Sequence, residues 1–320
     1  MMTKLTGCCA VRIERRLSYR MMSELSRRTF LTAVVGALCQ RSGRLQTAPT
    51  VAANAERKRG SAQPQVLKLG VCTSDITAAV KYGFDYIEPA AADIAGMSED
   101  KFRQYADEVL SSPIRCEAFN SFIRQPELVV LGNAVPTAAL KDYMEACLTR
   151  CRKLGASIVV WGSAGSRKVP DGFSRERARQ QIAEFLQVAG DIARRYEIVI
   201  AIEPLRRQES NILNSGAESL EMVRMVKHPN VRMIIDYYHL RQENEDPRIV
   251  ETARDEIVHI HFANPMGRVW PHDLSEDTHY EPFFRYLKNV GYAGRISIEG
   301  RGSFDADAVR SLAFFRQALL

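Results

Sequence analysis

The sequence predicts a (β/α)8 barrel, and three observations support this prediction. From about residue 66 onward, short apolar runs alternate eight times with longer amphipathic segments. Several short runs are apolar along their whole length, which is typical of parallel strands covered on both faces. The repeat occupies about 250 residues, the usual size of such a barrel. A doubly wound open sheet is the main alternative, but no glycine-rich phosphate loop supports it.

The predicted strands follow one another at regular intervals. They are 66–72, 85–90, 114–120, 157–163, 199–205, 231–236, 257–263 and 295–300. The fourth, SIVVWGS, is a continuous run rich in β-branched residues, which favour extended backbone. Eight such runs fit one barrel without a further domain.

The intervening segments carry helix signals. One begins at Ser98, a good N-cap residue. The next has apolar residues three and four positions apart and ends at Gly155, as a helix C-terminus commonly does. A long helix is predicted from Arg175 to Tyr196, shorter ones precede the last three strands, and a final helix covers 305–320.

The basic character of the chain lies in its first 55 residues. They contain nine Lys or Arg and two Glu, whereas the remaining 265 residues carry 35 basic and 36 acidic groups. Arg27 and Arg28 precede the short apolar run TAVVGALC, and an Ala-x-Ala site ends at Ala55. This pattern predicts a bacterial Tat export signal and a periplasmic product, with a chance Arg-Arg in a disordered N-terminus as the alternative.

The predicted organisation is an export signal with its linker over 1–55, a linker over 56–65 and the barrel over 66–320. Met21 and Met22 are more usual starts for such a signal, so residues 1–20 are interpreted as a mis-called extension. The apolar run is too short to span a bilayer, and no stable membrane anchor is predicted. The four cysteines after the signal show no paired C-x-x-C spacing, which argues against zinc-finger and disulfide scaffolds.

Four strand-like runs each end in a residue that can bind a metal. Glu203, Asp236, His261 and Glu299 end strands five to eight, and the carboxyl ends of barrel strands meet at one mouth. Any one of them could be an ordinary polar strand end. Three carboxylates in one desolvated mouth require a compensating cation. Carboxylates with one imidazole suit Mn²⁺, Mg²⁺ or Co²⁺, and Mn²⁺ is the first choice.

These runs resemble the xylose isomerase-like barrel superfamily of sugar isomerases and epimerases, above all its ketose 3-epimerase and hydroxypyruvate isomerase branches. The resemblance covers 66–318 and is strongest over 199–300. Glu209 follows Glu203 by six residues, and His239 follows Asp236 by three, as in the ketose epimerases.

The resemblance implies a role for each matching residue. Glu203 and Glu299 would bind the metal and act as acid and base, while Asp236 and His261 would be ligands only. The residues implied to hold the sugar are Glu209, His239 and Arg268. The loop after Arg268 reads WPHDL instead of the family's usual Pro-Gly-x-Gly-Glu, and this departure bears on the substrate.

Three further residues are predicted to line the substrate pocket, namely Glu88, Trp161 and Asn120. A core position is the alternative for Trp161. Asn214 resembles a family asparagine whose role could equally be structural. His272 and His279 are expected to face solvent.

The resemblance implies a small sugar as the substrate and allows a homo-oligomer. The predicted chemistry is deprotonation beside a carbonyl to a metal-stabilised enediolate, which gives epimerisation or aldose–ketose isomerisation. A lyase or hydratase acting on 3-keto-sugars or 3-keto-glycosides is the alternative. A remote alternative is an apurinic endonuclease of the trinuclear zinc class, but such enzymes need histidines where this chain has Glu88 and Asn120. The net charge of −1 after residue 55 also argues against nucleic acid as a partner.

Overall fold

An eight-stranded sheet forms the centre of the computed structural model, which describes residues 67–319. Its strands are Lys68–Val71 (β1), Tyr86–Ile87 (β2), Ala118–Phe119 (β3), Ile158–Trp161 (β4), Val199–Ile202 (β5), Val231–Asp236 (β6), Ile257–Phe262 (β7) and Arg295–Ile298 (β8). The export signal predicted over 1–55 and the linker predicted over 56–65 lie outside the described residues.

The α-helices of this part of the chain alternate with the strands. They are Ile76–Tyr82 (α1), Ala91–Ala95 (α2), Glu99–Ser111 (α3), Thr137–Leu154 (α4), Arg175–Arg195 (α5), Gly216–Val226 (α6), Tyr237–Gln242 (α7), Ile249–Thr252 (α8), Tyr280–Asn289 (α9) and Phe304–Leu319 (α10). Short 3₁₀ turns cover Gly165–Arg167 and Leu274–Glu276. Between residues 67 and 319, no helix has both the length and the apolar character needed to cross a membrane.

The strands pair in the order β2-β1-β8-β7-β6-β5-β4-β3, and every pair is parallel. Isolated parallel bridges join Ile87 to Cys116 and Ala90 to Asn120, so the two edges of the sheet meet. The result is a nearly closed barrel with helices outside it, and the predicted (β/α)8 fold is confirmed.

Three predicted elements are shorter than expected. β2 and β3 contain two residues each, although the sequence predicted strands over 85–90 and 114–120. Pro89 follows β2 and has no backbone N–H to continue the pairing. The amphipathic run over 245–256 forms helix only over Ile249–Thr252.

Tyr86 fills much of the barrel interior. A Cβ at Gly70 would overlap its ring, so β1 needs a glycine there. The Tyr86 hydroxyl reaches past β1 and lies 2.7 Å from Ser297 Oγ on β8. At the amino-terminal end of the strands, Glu117 binds Lys68 at 2.6 Å and Arg295 at 2.7 Å. Glu117 therefore lies at the end of the barrel opposite the predicted mouth.

Candidate active site

Alternation along the strands brings the four predicted metal ligands together. Each lies two residues after a residue that points into the barrel, and successive side chains of a strand point to opposite faces. The residues that point into the barrel are Ala201, Ile234, His259 and Ser297. The corresponding predicted ligands, two positions later on the same strands, are Glu203, Asp236, His261 and Glu299. One oxygen or nitrogen atom from each of the latter four lies within 4.8 Å of the others.

His261 Nδ1 faces all three carboxylates. It lies 3.0 Å from Glu203 Oε1, 3.2 Å from Glu299 Oε2 and 4.0 Å from Asp236 Oδ2. His261 and Asp236 are buried, whereas 24% of the Glu299 side chain is exposed. The set therefore opens toward the barrel mouth on the side of Glu299.

The ionisation of this group shows a shortage of positive charge. Burial raises the pKa of Asp236 well above its ordinary value, and the carboxylates of Glu203 and Glu299 add to the shift against the opposing charge of Arg268. Burial would lower the pKa of His261, but Glu88 and Glu299 raise it well above its ordinary value. Both shifts favour the protonated forms, so the buried carboxylates need additional positive charge. A divalent cation fits this donor set and removes that need.

Glu88 supports the imidazole of His261 from behind. Its Oε1 lies 2.8 Å from His261 Nε2, and its Oε2 lies 2.7 Å from His259 Nε2. Burial alone would raise the pKa of Glu88, but the two histidines hold it well below its ordinary value. A carboxylate behind a histidine is a common support for a metal ligand. This position differs from the sequence prediction, because both Glu88 oxygens are engaged and face away from the substrate pocket.

Arg268 lies over the mouth of the site. Its Nη2 donates to Glu299 Oε2 at 2.7 Å, and its Nη1 lies 3.7 Å from Glu209 Oε1. The guanidinium packs on the Tyr238 ring at 4.8 Å. Arg268 has a φ of 51°, a strained value for a non-glycine residue, and its carbonyl accepts from Arg301 N at 2.7 Å. The loop after β7 thus holds this side chain in place at a cost in backbone strain.

His239 offers one unused hydrogen-bond donor to the site. Its Nδ1 accepts from Arg206 N at 3.2 Å, which places the proton on Nε2. That Nε2 is buried without a hydrogen-bond partner, 3.9 Å from both Glu209 Oε2 and Asp236 Oδ2. Burial, assisted by the charge of Arg268, lowers the pKa of His239 to about 3. The imidazole is therefore a neutral donor aimed into the site.

Trp161 was predicted to line the substrate pocket, but the structure places it in the core, which was the alternative for this residue. Its side chain is fully buried, and its Nε1 donates to Ser166 Oγ at 3.1 Å. Arg167, also fully buried, packs on its ring and donates to the carbonyls of Trp161 and Glu203 at 3.1 and 2.7 Å. Burial lowers the pKa of Arg167 to about 10. Trp161 and Arg167 together fix the end of β4 against the start of the loop after β5.

Gly162 makes room for the Glu203 carboxylate. A Cβ at this position would overlap Glu203 Oε2. Sequence reasoning missed Gly162 and Arg167, because a glycine and an arginine in a loop look like ordinary turn and surface residues. The local sequence contained no signal of their contacts with Glu203.

Asn120 directly follows β3 and its side chain is buried. Cys72 Sγ lies within 4.8 Å of ligand atoms of Glu88 and His261. A contact between Asn120 and substrate stays a prediction. Asn214 has a structural role, since its amide donates to the carbonyls of Leu205 and Ser210 at 2.7 Å each.

The two loop histidines lie outside the cluster. His272 is half-buried, with its Nε2 3.0 Å from Asp307 Oδ1. His279 is also half-buried, and its Nδ1 lies 3.3 Å from Asp277 Oδ1.

Comparisons with known proteins agree on the barrel. A family profile described as "Xylose isomerase-like TIM barrel" matches residues 76–318. An L-ribulose 3-epimerase of Methylomonas sp. (strain DH-1) is 28% identical over 73% of this chain and 79% of that protein. A 3-dehydro-D-guloside 4-epimerase of Escherichia coli (strain K12) is 29% identical over 51% of this chain and 64% of that protein. A crystal structure of D-psicose 3-epimerase, determined in the presence of D-fructose, has a TM-score of 0.70 at 21% identity and covers 79% of this chain and 99% of that one.

Proposed function

Because this chain belongs to the xylose isomerase-like TIM barrel family, we propose that it is a divalent-metal-dependent sugar epimerase or isomerase. Its substrate would be a ketose or a related hydroxy-ketone. The observation that carries this proposal is the convergence of Glu203, Asp236, His261 and Glu299 at the mouth of the barrel. The similar L-ribulose 3-epimerase and 3-dehydro-D-guloside 4-epimerase support the same class of reaction.

The charges around the site favour one divalent cation. The four carboxylates of Glu88, Glu203, Asp236 and Glu299 face two guanidinium groups, those of Arg167 and Arg268, which leaves two negative charges unbalanced. Glu203, Asp236, Glu299 and His261 Nδ1 would hold the ion, and Mn²⁺ remains the first choice for this donor set. When bound, such a cation would polarise a substrate carbonyl and stabilise negative charge on its oxygen.

Glu203 and Glu299 are placed to move the proton. Glu203 follows β5 and Glu299 follows β8, so the two carboxylates reach the site from different sides of the barrel. In epimerisation, one carboxylate takes the proton from the carbon beside the carbonyl and the other returns a proton to the opposite face. Delivery to the neighbouring carbon instead gives isomerisation.

Two groups beside Glu299 reduce its basicity, first His261 and then Arg268. Burial would raise the pKa of Glu299, but the charge and hydrogen bond of His261 and the charge of Arg268 lower it to about 2. A carboxylate with so low a pKa is a weak base. When substrate accepts a hydrogen bond from Arg268, the guanidinium shares its donors and Glu299 becomes more basic. His239 Nε2 and Glu209 would bind substrate hydroxyls beside this arginine.

A second candidate uses the same first step on a 3-keto-sugar or 3-keto-glycoside and ends in epimerisation, elimination or hydration. The similarity to the 3-dehydro-D-guloside 4-epimerase supports it. The Arg27-Arg28 motif also supports it, because a Tat signal would export the enzyme to the periplasm, where unphosphorylated glycosides are met. Periplasmic location is part of this proposal.

Deuterium exchange tests the proposal. The Mn²⁺-loaded protein is incubated in D₂O with a panel of ketoses and 3-keto-glycosides, and the recovered sugars are analysed by mass spectrometry and NMR. We expect deuterium beside the carbonyl of at least one sugar, while loss of the aglycone identifies elimination. Glu299→Gln should reduce exchange by at least about 100-fold, the range attributed to a positioned acid or base, and still bind metal.

Glu221→Gln is the matched control, since Glu221 lies on the surface of α6 and pairs with Arg179. It should exchange at the wild-type rate. Absence of exchange across the panel would overturn the proposed function. An undiminished rate in Glu299→Gln would remove Glu299 from the proton transfer.

A further inference from the structure

A cavity of about 410 Å³ lies between the loop after β3 and the loop after β4. Its size falls within the ~300–1,000 Å³ range of small-molecule sites. Its walls are Ser121, Ile123, Arg124, Gln125 and Pro126 on one side and residues 162–166 on the other. The proposed chemistry uses none of these side chains.

The cavity begins beside Glu203. Gly162 forms part of its wall and also lies against Glu203 Oε2, where a Cβ would overlap that oxygen. Glu209 lies in the loop after β5, His239 on α7 after β6, and Arg268 in the loop after β7, away from the loops after β3 and β4. A sugar whose carbonyl end is held by those three residues would direct its far end toward the cavity.

The lining is polar, small and balanced in charge. Arg124 is its one charged side chain, and Arg124 Nη1 binds Asp93 Oδ1 at 2.9 Å while Nη2 donates to Ser121 Oγ at 3.0 Å. The facing loop reads GSAGS and presents only glycine, alanine and serine. The Ser163 and Ser166 hydroxyls already bind Ile123 N and Trp161 Nε1, which leaves backbone and amide groups for a ligand. Such groups carry no net charge and suit a polyhydroxylated, uncharged ligand better than a phosphate or a carboxylate.

Hydrogen bonds hold the two walls together. Ile123 N on one wall donates to Ser163 Oγ on the other at 2.8 Å. Farther along the same loop, Val130 N donates to the Ser166 carbonyl at 2.8 Å. Because these bonds exist before any ligand binds, the walls lose little conformational freedom on binding. The cavity is preformed and adjoins the Glu203 side of the site at Gly162.

We propose that this cavity binds a second, uncharged glycosyl unit attached to the far end of the hydroxy-ketone. The proposal rests on the proposed function for the identity of the reacting sugar. It narrows the substrate class to ketoses or keto-sugars that carry a glycosyl substituent.

Calorimetric titration of the Mn²⁺-loaded protein tests the proposal. The probes are D-fructose, isomaltulose (fructose with a glucosyl group on O6) and fructose 6-phosphate. We expect isomaltulose to bind at least about 10-fold more tightly than D-fructose. Gly165→Phe should remove this advantage, because Gly165 lines the cavity and a Cβ there meets no atom within 4 Å. Gly165→Ala is the size control and should retain the advantage.

Equal binding of isomaltulose and D-fructose to the wild type would overturn the proposal, as would an advantage that survives Gly165→Phe. Tighter binding of fructose 6-phosphate than of isomaltulose would identify an anion site instead. Should Gly165→Phe fail to fold, Arg124→Ala on the facing wall must remove the advantage. Deuterium exchange is measured separately. Tighter binding of isomaltulose without exchange would support the glycosyl site and contradict the proposed function. Exchange without tighter binding of isomaltulose would support the proposed function and contradict the glycosyl site.

Discussion

Glu88 holds His261 in the orientation that the three carboxylates require. Its Oε1 is 2.8 Å from His261 Nε2, so Nδ1 is left to face the site. Glu88→Gln replaces one carboxylate oxygen by an amide that can only donate. We expect about 10- to 100-fold weaker Mn²⁺ binding, the usual effect of losing the group behind a histidine ligand. Competition with a chelating dye measures it.

Glu117→Gln is the matched control, because Glu117 is also a carboxylate between barrel strands but binds Lys68 and Arg295 at the opposite end. It should lower stability and leave Mn²⁺ affinity unchanged. Equal Mn²⁺ affinity in the wild type and Glu88→Gln would show that Glu88 does not support the site.

Two glycines in one loop give a second test at the scale of single residues. Gly162→Ala would place a Cβ on Glu203 Oε2 and displace that carboxylate, whereas Gly165→Ala meets no neighbour. We expect Gly162→Ala to lose at least about 10-fold in Mn²⁺ affinity. Metal titration of both variants measures this difference. Identical affinities would mean that Glu203 is not confined by Gly162.

The convergence of Glu203, Asp236, His261 and Glu299 could be predicted from sequence because each of them directly ends an apolar run. The roles of Glu88, Arg167 and Gly162 could not. Each depends on which side chains meet across the barrel, and this is fixed by the register of strands far apart in sequence. The local pattern around Trp161 likewise did not show that Arg167 covers its ring.

At the scale of elements, Asp277 connects the start of α7 with the start of α9. Its Oδ2 accepts from Tyr237 Oη at 3.1 Å and from Arg241 Nε at 2.9 Å, and its Oδ1 accepts from His279 N at 2.9 Å. Burial would raise the pKa of Asp277, but the hydrogen bonds from His279 N and Arg241 lower it. The ionised carboxylate therefore stabilises the fold.

We expect Asp277→Asn to lower the free energy of unfolding by about 1 to 2 kcal/mol at pH 7. Since the pKa is lower in the folded state, the contribution is complete above the unfolded pKa of about 3.9 and is lost as pH falls through the folded value. Urea unfolding at pH 7 and below pH 4 should show the difference shrinking. Asp255→Asn, at an exposed aspartate, is the control. A difference independent of pH would contradict the assigned role of the carboxylate.

Elements with strong local signals were predicted closely. Ser98 caps α3, and α5 covers Arg175–Arg195 against a predicted 175–196. β2 and β3 were overestimated, because their apolar residues continue into buried loops that do not pair as strands. An apolar pattern indicates which residues are buried. Buried residues beside β2 and β3 need not form the backbone hydrogen bonds that define a strand.

At the scale of the whole molecule, the barrel brings together four polar residues spread over nearly 100 positions of the chain. The alternation of strands and helices was sufficient to predict this arrangement. The substrate was not predictable from the same pattern, since the loops that shape the mouth, 121–126 and 162–166 among them, vary independently of the barrel. We propose that this mouth holds one divalent cation between Glu203 and Glu299.

Anomalous diffraction from crystals grown with Mn²⁺ tests this claim most directly. We expect a single peak at roughly 2.0–2.3 Å from oxygens of Glu203, Asp236 and Glu299 and from His261 Nδ1. Glu88 should lie outside the coordination sphere, on the far side of His261. A peak elsewhere, no peak at saturating Mn²⁺, or two or three metal peaks in the mouth would contradict the claim.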